Sequence, residues 1–305
     1  MGYCFKDHET VPEGIKRIAI EEFNKAVAKT KPKVKNRDEA IHGARVSLKK
    51  LRALLRFART KDNADVFRHE NACYREAGKR LSEVRDATAM IEAFDQLTKH
   101  YAEQLAPDAF AEVRKPIFRI WMTQQSNQRK AISEVAQMFK SARSRVTDWP
   151  IDDNSFSALR QGLKRSYKHG RTTMTQAQTK PSVENFHEWR KRVKDLWYQV
   201  RVLEPTWPAM LKDMADELGR LADYLSEDHD LSILRQTVLQ QSPEDRTQLE
   251  ALVALIDQRR GELEIDAKWL GKRMYVEKPN AFTRRFDVYW RAWCAEATSD
   301  PIAGT

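Results

Sequence analysis

Apolar residues recur at three- and four-residue spacing through most of the chain, and nowhere do they alternate with polar ones for long. That periodicity predicts an all-α protein. Prolines punctuate it at Pro32, Pro107, Pro150, Pro181, Pro205, Pro208, Pro243 and Pro279, where helices are expected to end or begin. Between them the pattern predicts helices near 13–30, 37–60, 64–104, 108–145, 154–178, 183–204, 208–240, 243–276 and 280–297, some of the longer ones expected to be broken. The sharpest boundary runs from Trp149 through Pro150 to Ser155, so the chain is read as two helical halves, 1–150 and 151–305. No linker is rich in Gly and Ser, and the halves are expected to pack together.

Two of these helices carry the same pattern. His42, Arg45, Lys49 and Leu51 recur as His187, Arg190, Lys194 and Leu196, offset by 145 residues. At about 100° per residue, His42, Arg45, Lys49, Arg52 and Arg56 share one stripe of a helix. Ile41, Ala44, Leu48, Leu51, Leu55 and Ala58 form the stripe beside it. His187, Arg190, Lys194 and Arg201 repeat the arrangement next to Phe186, Trp189, Val193, Leu196, Val200 and Leu203. A second echo supports an internal duplication. Residues 81–86, Leu-Ser-Glu-Val-Arg-Asp, return at 225–230 as Leu-Ser-Glu-Asp-His-Asp, offset by 144.

A basic helical face is ordinarily a solvated surface. Here the bases border the apolar stripe, recur in phase and lack the intervening acids that neutralise such a face. The chain as a whole has 54 Lys and Arg against 44 Asp and Glu, a net charge of +10, which favours a polyanionic partner. Arginine suits bidentate phosphate contacts and lysine supplies point charge. Cations three or four residues apart on a helix stand ~4.5–6 Å apart along its axis, on the order of every second phosphate of a linear polyphosphate. Lys50 and Lys191 flank the rows, and Arg160, Lys164, Lys272, Lys278 and Arg285 complete the candidate set, each also readable as solvated surface. Cys4, Cys73 and Cys294 show no metal-ligand spacing, and a reducing compartment is expected. No apolar run approaches ~18 residues, so no membrane span is expected. The chain is placed in the cytoplasm.

These motifs resemble those of the CHAD domains, histidine-containing α-helical domains of prokaryotes. His42, Arg45, Lys49, Lys50, Leu51 and Arg52 carry the likeness to the first motif. His187, Arg190, Lys194, Leu196 and Tyr198 carry that to the second, and residues 81–86 resemble the Arg-Asp segment. The resemblance implies two antiparallel four-helix bundles related by a pseudo-twofold, with a basic cleft between them. It further implies binding of inorganic polyphosphate and association with polyphosphate granules. Trp197 stands where the family usually has a base and Asp195 where a second base is common, so the second half is expected to bind more weakly.

Rival readings are a nucleic-acid backbone binder, second in rank, and a phosphoanhydride-processing enzyme, third. The first lacks a base-reading motif, and the second lacks metal-binding carboxylates in its motifs. No catalytic residue, cofactor or metal is assigned. Glu227, Asp228, His229 and Asp230 are read as a salt-bridge or helix-boundary segment rather than metal ligands. The tryptophans are read as core.

Overall fold

The computed structural model describes residues 2–31, 36–83, 85–106, 108–124, 128–240 and 246–299. Pro32, Pro107 and Pro243 lie outside the described residues. The structure is all-α. In chain order the helices are α1 (Val11–Lys29), α2 (Arg37–Phe57), α3 (Ala64–Glu83), α4 (Asp86–His100), α5 (Ala111–Gln124) and α6 (Gln128–Ser144). They continue as α7 (Ser157–Thr179), α8 (Val183–Leu203), α9 (Pro208–Gln240), α10 (Arg246–Met274) and α11 (Pro279–Ser299).

The element predicted over 64–104 is two helices, α3 and α4. Between them Arg85 donates its backbone N–H to Ser82 O at 2.9 Å, a tighter turn than the α-helix allows, and sends its side chain inward. The element predicted over 108–145 is likewise α5 and α6. By contrast α9 runs unbroken through the second copy of the echo, residues 225–230.

α1, α2, α3 and α6 pack in a ring, each against the next, and α7, α8, α9 and α10 do the same. The two groups meet where α2 lies against α8 and α7. The close crossing of α2 and α7 requires Gly162, where a Cβ would sit 1.9 Å from the Phe57 carbonyl oxygen. α4 and α5 pack on each other and reach across to α9 and α10. α11 closes over α7.

The boundary at residue 150 divides the helices along the chain but not the interior. One apolar core joins Ile15, Phe23, Leu48 and Leu51 to Leu163, Trp189, Leu196 and Leu218 without interruption. A second, smaller core lies where Phe94 and Ile117 meet Leu234 and Ile256. Trp149, Trp290 and Trp293 are buried as expected, but Trp207 and Trp269 are 46% and 63% exposed. The Lys272 ammonium covers part of the Trp269 ring at 4.9 Å, and the Trp207 ring meets Tyr289 edge-on.

Candidate functional site: a cationic cluster at the helix junction

Each motif helix starts at a polar cap. The Asn36 side chain accepts the Glu39 N–H at 3.1 Å, and the Ser182 hydroxyl accepts that of Asn185 at 3.2 Å. These caps fix where α2 and α8 begin, and therefore the phase of His42 and His187 within their second turns. The two helices are tied by the Gln199 amide, which donates to Ala53 O at 3.3 Å, and by Arg56, which pairs with Asp195 at 2.8 Å.

At this junction Arg45 and Lys49 of α2 converge with Arg190 and Lys194 of α8. Burial pulls the Lys49 ammonium down to about 7, with Arg190 and Arg45 repelling the proton further. Burial also drives Lys194 well below the ordinary lysine range, reinforced by Arg190 and Lys49. Neither lysine makes an ion pair among the described residues. Arg190 is oriented by Ser226, whose hydroxyl accepts from Nε at 3.1 Å.

Further groups arrive from α9 and the α3–α4 turn. Arg85 is buried and pairs with Glu92 through Nη2, while its Nε and Nη1 make no hydrogen bond among the described residues. The sequence reading held that acids are missing from the stripe, and along each motif helix they are. They come instead from the ends of the two echo segments. Asp86 stands 3.7 Å from Arg45, and Asp230 partly offsets the charge of Arg45, Lys49 and Lys194. Asp223 faces Lys194 as well. Against these carboxylates, and the Glu92 paired with Arg85, stand Arg45, Lys49, Arg85, Arg190 and Lys194.

The His187 and His229 rings lie against each other at a tilt of 35°, with centroids 4.3 Å apart. Burial lowers them to about 4 and about 3, helped by the neighbouring arginines and lysines, so both are neutral at physiological pH. The Nδ1 of each makes no hydrogen bond among the described residues. His42 is lowered for the same reason, chiefly burial and Arg85. Of the segment set aside in the sequence, Glu227 and Asp228 do form salt bridges, at 2.7 Å to Arg259 and 2.8 Å to Arg260. His229, however, belongs to the cluster.

The remaining candidates lie elsewhere. Lys50 turns toward α1, 3.4 Å from Glu22 and over the Tyr3 ring. Arg52 donates to Asn71 at 3.1 Å, and Arg56 is held by Asp195. Lys191 is exposed and paired with Glu188, while Arg201 lies over the Trp197 ring at 5.6 Å. Arg160 is 3.9 Å from Asp287, Arg285 pairs with Glu277, and Lys164, Lys272 and Lys278 are exposed. Sequence reasoning missed Arg85, Ser226, His229 and the acids Asp86, Asp223 and Asp230 as site residues. The nearly equal offsets of the two echoes, 145 and 144, were the signal that could have placed all but Asp223 there.

The described residues thus form an all-α domain in which two histidine-bearing helices meet at a cluster of lysines and arginines. The CHAD domain model matches residues 18–239, and the chain belongs to the CHAD domain family. Its fold is also similar to the crystal structure of the CHAD domain from the plant Ricinus communis. That similarity has a TM-score of 0.55 and 15% identity, covering 94% of this chain and 95% of the other. No curated protein matches the sequence. Among the described residues no helix is long and apolar enough to cross a membrane.

Proposed function

We propose that this protein binds inorganic polyphosphate without cleaving it, through a groove at the α2–α8 junction, and so associates with polyphosphate granules. One observation carries the reading. Two lysines from two helices are buried and crowded against arginines, and neither makes an ion pair among the described residues. Crowding like charges in a partly dry site is unfavourable unless an anion supplies the countercharge. A chain of phosphates suits that geometry, because cations approach it from both helices. Arg85 Nε and Nη1 and the neutral imidazoles add donors. Family membership and the paired motifs support the same ligand, and the two motif helices are consistent with a duplicated half.

The test is a competition. Long-chain polyphosphate immobilised on a surface should retain the protein, and orthophosphate should displace it poorly because single anions lack the multivalency of the chain. Affinity should fall steeply with salt. A structured RNA that displaces the protein more effectively than polyphosphate at matched charge would move the assignment to nucleic acid.

A pH profile is expected to report the lysines. The motif histidines His42 and His187 would add binding that strengthens from pH 8 to 6 wherever a bound phosphate raises their lowered pKa values. His187 is lowered to about 4 and His42 is lowered in the same direction, and above pH 7 the buried lysines are the groups that titrate. Free Lys49 loses its proton near pH 7, and a bound phosphate would raise that value. Binding then takes up a proton above pH 7, so affinity should fall from pH 7 to 9, by at most about tenfold per unit for each coupled lysine. Lys49→Arg with Lys194→Arg keeps the charge at every pH and should flatten the profile. An unchanged slope in that variant would remove the lysines from the binding step.

A further inference from the structure

A cavity of about 650 Å3 lies between the end of α1, the start of α2 and α6. None of the side chains of the central cluster lines it. Its apolar floor is made by Val27, Ala40, Ile132 and Ala136. Around that floor stand Lys29, Lys31, Arg37, Arg129 and Lys140, and no Asp or Glu side chain lines the cavity. The five cations make no ion pair among the described residues.

The arrangement is built into the backbone at one point. Lys29 lies so closely over Gly43 of α2 that a Cβ there would fall 2.2 Å from Nζ. A larger residue at 43 would require the Lys29 side chain to move aside. The same helix α2 thus carries Arg45 and Lys49 toward α8 and admits Lys29 from α1 at Gly43.

The cavity differs in chemistry from the central cluster. At the cluster the surroundings are charged and hydrogen-bonding, which suits a bare inorganic chain. Here several cations border apolar side chains, so the best-matched ligand has both a multiply charged end and an apolar or aromatic body. The Gln137 amide and Ser133 hydroxyl, which also line the cavity, offer donors and acceptors to the edge of such a body. The volume falls within the range typical of small-molecule sites, roughly 300–1,000 Å3. We infer that this cavity is a second, separate anion site that binds a nucleoside polyphosphate. Its phosphates engage the lysine and arginine rim, and its base lies against Val27, Ile132 and Ala136. The inference does not depend on the polyphosphate reading of the central cluster.

The experiment is calorimetric titration of the full chain with ATP, and separately with inorganic tripolyphosphate, in the absence of divalent cations. ATP is expected to bind more tightly than tripolyphosphate. Arg129→Ala with Lys140→Ala, both exposed on α6, should weaken ATP binding at least tenfold. Ala136→Phe, which fills the floor, should weaken ATP but leave tripolyphosphate unchanged. Arg45→Ala with Lys49→Ala should leave ATP binding to the cavity intact, whatever it does to long-chain polyphosphate. ATP binding that survives the Arg129 and Lys140 exchange, or that disappears with Arg45 and Lys49 alone, overturns the proposal. So does a tripolyphosphate affinity equal to that of ATP. Should Ala136→Phe lose its helical circular dichroism, the α6 charge variant and the ligand comparison still decide the matter.

Discussion

Exchanging Arg45 and Lys49 for alanine together should weaken long-chain polyphosphate binding by about 10- to 100-fold, the loss expected from one or two charge-assisted contacts. Arg190→Ala with Lys194→Ala should do the same. Removing all four should reduce affinity by on the order of a thousandfold or more, because a multivalent chain is released fully only when neither helix holds it. The sequence pointed to a weaker second half, with Lys50 and Arg52 reinforcing the first and with Asp195 and Trp197 diluting the second. In the structure Lys50 faces Glu22, Arg52 faces Asn71, and Asp195 is occupied by Arg56 and Arg192. With Lys50, Arg52 and Asp195 engaged by these partners, the two pairs are expected to matter about equally. The control is removal of charge at Arg59 and Lys61, beyond the end of α2. If that control weakens binding as much as either pair does, binding is a property of total charge and the groove model fails.

The same four cations should cost the unliganded protein stability. Lys49 is protonated up to about pH 10.5 in the unfolded chain but only to about pH 7 when folded. Between those values the unfolded chain holds more protons, so stability from this residue rises with pH across that window and its penalty is complete below pH 7. Lys194, depressed in the same direction, adds to the trend. Thermal melts of the free protein should therefore shift upward from pH 7 to 9. At pH 7, Lys49→Met or Lys194→Met should raise Tm by at least about 2 °C, since a gain of ~1 kcal/mol moves a domain of this size by roughly that much. The methionine keeps the length and packing of the lysine stem and removes the repulsion. Saturating polyphosphate should raise the wild-type Tm and shrink its dependence on pH. A Tm that falls in both methionine variants would show that the lysines support the fold, and the opposition between stability and binding would be refuted.

The helical architecture and the core-facing stripes were legible in the sequence because both are local. Ile41, Leu48, Leu51 and their counterparts Phe186, Val193 and Leu196 repeat at helical spacing and are all buried. So were the histidine, arginine and lysine rows, which residue spacing alone phases correctly. What spacing does not encode is the direction each side chain takes relative to other helices. Arg56 lies on the same stripe as Lys49, yet its partner is a carboxylate on α8 nearly 140 residues away, |i−j| = 139. His229 sits in a run of ion-pairing residues and differs from its neighbours only in the face of α9 it occupies. The break at Arg85 also escaped the pattern, because no proline or glycine marks it. It depends on a buried arginine finding Glu92 and the cluster, which is a property of the assembled helices.

The unbroken interior between the two groups of helices has a consequence for how the chain is held together. Residues 152–155, on the seam between the halves, are exposed and lie outside any helix. The bond of the backbone there is not what keeps α2 against α8. Separating the two sides would break the Gln199–Ala53 hydrogen bond, leave the buried Asp195 without Arg56 and open the close crossing of Phe57 and Gly162. The connecting segment serves as a tether that raises local concentration, while recognition between the two sides is written into their buried faces. A chain nicked or lengthened at that seam therefore keeps the determinants of its own reassembly, and the anion-facing side chains come together only as those faces close.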